Sequence, residues 1–246
     1  MKIIDLHNDG YAPKGVTYLK SVYTTELENP IAEIKRARDK VEFLHIEDAW
    51  FINESNVEDV IALKPFSIGL TWNHDNNLAG GAFGEGELTD LGRSIIKKLC
   101  SAGIVIDTAH LNRTSFYQVA DVVRQSGGRI FCTHTCFADV HEHPRNLDGK
   151  QIQTIIDMGG IVGLTLVGEF LGGDIYNHIR YFIDKFGEDN LAIGTDFNGT
   201  NDLPHGIWGY EDFPSFRWEL GNKGLDDEIL NKIFYGNASR FFDNRP

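Results

Sequence analysis

Short runs of consecutive apolar residues alternate along the chain with segments whose apolar positions recur every three to four residues. That alternation predicts buried parallel strands separated by amphipathic helices. Seven runs read as strands: KIIDLH at 2–7, VEFLHIE at 41–47, FSIGLTW at 66–72, GIVIDTAH at 103–110, RIFCTH at 129–134, GIVGLTL at 160–166 and NLAIGTD at 190–196. Between them, Leu91, Ile95, Ile96 and Leu99 share one helical face, as do Phe116, Val119, Ala120 and Val123, and then Ile152, Ile155 and Ile156. Gly127-Gly128 and Gly159-Gly160 stand where left-handed caps would end two of these helices.

Strand and helix alternating over the whole length imply a parallel sheet, doubly wound or closed into a barrel. A doubly wound sheet usually carries a glycine-rich phosphate loop after its first strand; here that strand runs into His7-Asn8-Asp9. The expected fold is therefore α/β, a TIM-type (β/α)8 barrel with allowance for an irregular or missing strand. Leu203–Trp208 is the candidate eighth strand, although Pro204 counts against it. No repeat, low-complexity run or linker marks a boundary, so residues 1–246 are expected to form a single domain.

Composition narrows the partners. Lys plus Arg number 23 against 36 Asp plus Glu, a net charge of −13, which argues against nucleic acid or an anionic membrane and favours a small-molecule ligand. No stretch approaches the roughly 18 apolar residues of a membrane span, and MKIIDLHNDG lacks the apolar segment of a signal peptide, so the expected address is the cytoplasm. Cys132 and Cys136 flank a histidine in CTHTC, a spacing that fits no common structural zinc pattern, and with Cys100 they read as small hydrophobes. Trp208, Trp218 and the Phe-rich C-terminal segment could serve a core or a homo-oligomer interface.

The chemistry lies in what ends each predicted strand: His7 and Asp9, then Glu47, His74, His110, His134 and Asp196. In barrels the C-terminal rim is where active sites are built, because side chains from separate strands converge there. His7 and Asp9 are two apart, so in an extended chain they face the same way. Imidazoles and carboxylates in this number suit two divalent ions about 3.5 to 4 Å apart. Each residue also has a plainer reading, as a satisfied polar group or a helix cap. His45 reads as packing or as support behind the ligands, and His141 and His143 as part of a surface loop; His178 and His205 carry no signal.

Four stretches resemble the membrane dipeptidases, also called renal dipeptidases, a family of zinc metallopeptidases. They are LTDLGRSIIKKLCSAGIVIDTAH, THTCFADVHEHPRNLDGKQIQTIIDMGGIVGLTL, LAIGTDFNGT and KGLDDEILNKIFYGNASRFF, and the likeness is closest from about Phe66 to the end. The resemblance implies that His7, Asp9 and Asp196 hold one zinc, that His110 and His134 hold a second, and that Glu47 bridges them. It implies that His74 contacts substrate near the scissile carbonyl and that Arg145 binds the substrate's carboxylate. The chain departs from the family where only 37 residues separate Asp9 from Glu47 and where Asp48-Ala49-Trp50 replaces a glycine-rich context.

The expected activity is hydrolysis of a dipeptide or similar small amide, with Asp196 as proton carrier. Two rival readings stand beside it. One is a binuclear amidohydrolase or phosphoesterase acting on a cyclic amide, lactone or phosphoester, which the same metals would serve, although His-x-Asp rather than His-x-His ends the first strand. The other is a barrel that binds a small molecule without turning it over.

Overall fold

The computed structural model describes residues 1–244. Its strands are β1 (Ile4–Asn8), β2 (Thr17–Tyr23), β3 (Phe43–Glu47), β4 (Ser67–Gly69), β5 (Val105–Asp107), β6 (Ile130–Thr135), β7 (Val162–Leu164) and β8 (Leu191–Ile193). They follow one another in sequence order around a closed barrel, with parallel pairing of β2 through β6 in turn, of β7 with β8 and of β8 with β1. The barrel expected from the sequence is thus present with no strand missing. Leu203–Trp208 is not one of its strands: Ile207 N turns back to the carbonyl of Pro204, and Asp212 accepts from Trp208 N at 2.7 Å. The additional strand is β2, TYLKSVY, so Glu47 ends the third strand rather than the second.

Around the strands lie helices α1 (Pro30–Arg38), α2 (Val57–Ala62), α3 (Asp90–Ser101), α4 (Arg113–Gln125), α5 (Gly149–Asp157), α6 (Gly168–Leu171), α7 (Ile175–Phe186), α8 (Phe213–Asn222), α9 (Asp227–Asn231) and α10 (Asn237–Asp243). Thr89 and Asn112 cap α3 and α4 by accepting from Gly92 N and Ser115 N. The helical faces read from the sequence bury Ile95, Ile96, Leu99, Phe116, Val119, Ala120, Val123, Ile152 and Ile155. Gly127 and Gly159 hold φ of +65° and +72°, the left-handed turns that stop α4 and α5. No helix of the described residues is long and apolar enough to cross a membrane.

The chain packs as two compact units. Among the described residues, Met1–Tyr18, Thr133–Ile156 and 161–244 make the first; Leu19–Cys132 and Asp157–Gly160 make the second. In the second unit, β3 is buried along its whole length, as parallel strands covered on both faces are. Leu44, Ile46, Ile68 and Ile106 are fully buried, while His45, Ser67 and Asp107 form a polar cluster. His45 Nδ1 lies 2.9 Å from Ser67 Oγ and its Nε2 lies 3.3 Å from Asp107 Oδ2. His45 is thus buried against Ser67 and Asp107.

In the first unit, β1 joins β8 at Asp5↔Ile193. Asp5 is fully buried, and burial pushes its carboxyl above the ordinary value of 3.8 while its partners pull it down. It accepts from Thr195 N at 2.8 Å, Thr195 Oγ1 at 2.6 Å, Tyr210 OH at 2.5 Å and His7 N at 3.2 Å. Beyond β8, Phe197 meets Tyr210 edge-on at 5.0 Å, and Phe213 meets Phe234 at 5.6 Å, which clamps the segment carrying Asp196. Much of the C-terminal phenylalanine is thus core, whereas Trp208 and Trp218 stay 69% and 68% exposed. Cys100, Cys132 and Cys136 are buried.

Candidate metal centre

In the first unit, β1 delivers His7, with Asp9 one residue beyond the strand, β6 delivers His134, and the turn after β8 delivers Asp196. His7 Nε2 lies 3.5 Å from Asp9 Oδ2 and 3.7 Å from Asp196 Oδ1, and the His7 and His134 rings sit 3.9 Å apart. One donor atom from each of His7, His134 and Asp196 falls within 4.8 Å of the others. Two imidazoles and a carboxylate that close, with a second carboxylate beside them, form a donor set that suits a divalent transition metal.

Electrostatics point the same way. Burial pushes the Asp196 carboxyl up to about 7; His7 pulls it down, and the neighbouring Asp9 charge pushes it further up. Two half-buried carboxylates side by side favour a proton or a cation between them. The sign for stability follows from linkage. Between the ordinary value of 3.8 and about 7 the folded protein holds a proton that the unfolded chain has released. That contribution is present at low pH and is lost as pH rises through the window. Chelated protein should therefore melt at progressively lower temperature from pH 4 to pH 7, and metal should abolish the trend. Calorimetric scans at several pH values, with chelator and with metal, check it.

The second unit brings Glu47 and His110 together, with Glu47 Oε1 2.9 Å from His110 Nε2. Ser21 Oγ donates to Glu47 Oε2 at 3.3 Å. His110 Nδ1 lies 2.9 Å from Asn73 Oδ1, so an oxygen faces each of its ring nitrogens. The half-buried Trp72 stands 6.0 Å from His110 and edge-on to Tyr23 at 5.3 Å. His74 stands apart: it is exposed, on a loop five residues past β4, with its ring 6.4 Å from Phe83. Asp75 fixes that loop by accepting from Gly81 N and Gly86 N at 3.0 and 2.9 Å.

Strain marks two of the candidate ligands. His110 and Asp196 hold φ of +65° and +63°, conformations that cost non-glycine residues of order 1–3 kcal/mol. A buried aspartate holds the preceding residue in each case: Asp107 accepts from Ala109 N at 3.0 Å, and Asp5 accepts from Thr195 N.

Arg145 is buried in the turn after β6, and its Nη2 donates to His134 Nε2 at 2.9 Å. His143 is half-buried rather than a plain surface residue, 4.7 Å from the Phe170 ring and 3.4 Å from Glu169 Oε1. His178 is buried, accepting from Phe137 N and reaching the Leu171 carbonyl, a structural role. Sequence reasoning missed Asn73, Ser21, Thr133, Asp5, Asp107 and Gly199. A signal existed for Asp5, two residues before His7 on the same strand, and for Thr133 and Asp107, close in sequence to His134 and His110; Asn73 and Ser21 act on neighbours 37 and 26 positions away.

A parallel barrel with imidazoles and carboxylates gathered at strand ends defines a class, the metal-dependent hydrolases built on this fold. Residues 24–245 match the family model described as membrane dipeptidase, peptidase family M19, and the chain belongs to that family. His7 and Asp9 precede the matched span. An uncharacterised protein of Klebsiella pneumoniae, from the region 5′ of pqqA, is 31% identical over 87% of this chain and 86% of its own length. The dipeptidase verJ of Clonostachys rogersoniana is 27% identical over 71% of this chain, which spans 47% of that relative. Among solved structures, a metallo peptidase of Rhodobacter sphaeroides, liganded with a phosphinate mimic of the dipeptide L-Ala-D-Ala, superposes with a TM-score of 0.76 at 23% identity. It covers 92% of this chain and 69% of its own.

Proposed function

We propose that the chain is a binuclear-zinc dipeptidase, a single barrel domain over residues 1–246 that works in the cytoplasm on a small dipeptide-like substrate. The observation that carries the reading is that donor atoms of His7, His134 and Asp196, which the reading divides between two neighbouring ions, lie within 4.8 Å of one another in a chain of the membrane dipeptidase family. One metal is assigned to His7, Asp9 and Asp196 and a second to His110 and His134, with Glu47 as the bridge. The order of strands supports this, since each of these side chains lies at or just past the C-terminal end of its strand.

Divalent cations held by those residues would supply a water with its pKa lowered towards about 7 and a polarising charge for a carbonyl. The protein's own groups do the rest. Asp196 takes the proton of the attacking water and passes it to the leaving nitrogen. His74 donates a hydrogen bond to the carbonyl oxygen as negative charge grows on it, a contact worth more in the transition state than in the ground state. Arg145 holds the substrate's free carboxylate with its planar fork. Lysine at that position keeps the charge and loses the fork, so Arg145→Lys should raise KM about tenfold with kcat changed less. Unchanged dipeptide kinetics would remove Arg145 from that role.

The test is a metal-dependent screen over L,L and L,D dipeptides, with lactones and phosphodiesters as further arms. Dipeptide hydrolysis that disappears with chelator and returns with zinc is the expected result. Turnover of a lactone or phosphodiester in its place, or of nothing in zinc-loaded protein, would overturn the reading.

A further inference from the structure

His134 and Arg145 are held against each other by the turn that joins them. The Arg145 carbonyl accepts from Thr135 Oγ1 at 2.9 Å, and its amide donates to His143 Nδ1 at 3.1 Å, so the backbone on both sides is fixed. The side chain is 3% exposed, its guanidinium lies 5.4 Å from the centre of the Phe170 ring, and Nη2 reaches His134 Nε2 at 2.9 Å. A guanidinium offers donors only, so the nitrogen it meets must be the one with the lone pair. The ring proton is then on Nδ1, which donates to Thr133 Oγ1 at 2.9 Å.

That lone pair is also the one a metal ion needs, because with Nδ1 committed to Thr133 the ring has a single nitrogen able to coordinate. One lone pair cannot serve a guanidinium and a cation at once. We propose that Arg145 is a built-in competitor for His134: guanidinium and divalent cation exchange on Nε2, and metal entry releases Arg145 to face the substrate's carboxylate. The inference rests on the proposed function's reading of His134 as ligand and Arg145 as carboxylate binder. It adds an order to the site's assembly, in which the carboxylate clamp becomes available once the metal has arrived. By linkage, metal binding and carboxylate binding then strengthen each other.

The consequence is unusual for a residue of the binding machinery, since removing it should improve metal affinity. Chelated full-length protein is titrated with Co²⁺, following heat and the visible absorption of the bound ion, for wild type, Arg145→Met and Arg145→Lys. Both variants are first compared with wild type by circular dichroism, and the lysine variant stands in if methionine does not fold. The expected result is that both tighten one binding step about tenfold, the loss of one charge-assisted hydrogen bond, and leave the other step within about twofold. Affinity unchanged or weakened in both variants would overturn the exchange. Tightening in Arg145→Met with Arg145→Lys equal to wild type would also overturn it, since charge alone then explains the effect. If no protein, wild type included, takes up Co²⁺, the metal-centre reading itself fails and the exchange fails with it.

Discussion

Replacing Asp196 with asparagine is expected to lower kcat/KM for a dipeptide by about a thousandfold or more, while making the chelated protein harder to unfold at pH 8. The two effects share one cause. Asp196 is a half-buried carboxylate whose proton affinity is raised first by desolvation and then by Asp9. Above pH 7 its charge is a liability to the fold unless a cation lies beside it. Asparagine has nearly the same shape, tolerates the left-handed backbone that Asp196 adopts at φ +63°, and can donate to Asp9 where two charges otherwise repel. It cannot carry a proton from water to a leaving amine, and it is a poor ligand for a transition metal. Activity and stability therefore move in opposite directions, which a variant that merely misfolds would not reproduce. Steady-state kinetics, metal content and melting temperatures in chelator at pH 8 measure all three consequences. Activity within tenfold of wild type would strip Asp196 of both roles; a lower melting temperature at pH 8 would show that its charge is not a burden to the fold.

How far the sequence disclosed this arrangement depended on distance along the chain. Where a strand is buried on both faces its apolar run is continuous, and a histidine or carboxylate that ends the run stands out; His7, Glu47 and His134 were legible for that reason. His110 and Asp196 lie three residues past β5 and β8, but the apolar character of GIVIDTAH and NLAIGTD carries the eye to them. The second strand escaped because Lys20 and Ser21 interrupt TYLKSVY. The lysine is nonetheless buried, 8% exposed, with its ammonium donating to the Ser21 carbonyl at 2.6 Å. Tertiary pairing with β3, in register from Leu19↔Phe43 to Tyr23↔Glu47, overrides the local pattern. Asn73 was illegible for a different reason: its function is to fix a ring 37 positions away, and nothing near it in the chain announces that. Arg145 was legible as a cation in the right turn, but its contact with His134 was not, since it depends on how that turn folds back onto β6.

Gly199 supplies the second large effect, and it bears on whether the carboxylates are held where a metal would need them. A Cβ at this position would fall 2.3 Å from Asp9 Oδ2 and 2.4 Å from Asp196 Oδ1, well inside contact distance. The backbone there has little room to yield, because Gly199 N donates to the Asp196 carbonyl at 3.1 Å and the next residue, Thr200, bridges to Phe197. The side chains must move instead, and those are two of the proposed ligands. Gly199→Ala should therefore fold normally yet bind metal about 10- to 100-fold more weakly, with kcat falling in step at limiting metal and recovering in part at high metal. Gly173→Ala is the control, since nothing lies within 4 Å of its added methyl. Metal titration beside circular dichroism separates the outcomes: wild-type affinity and turnover in Gly199→Ala would mean that Asp9 and Asp196 do not hold the ion through the oxygens that converge on this glycine.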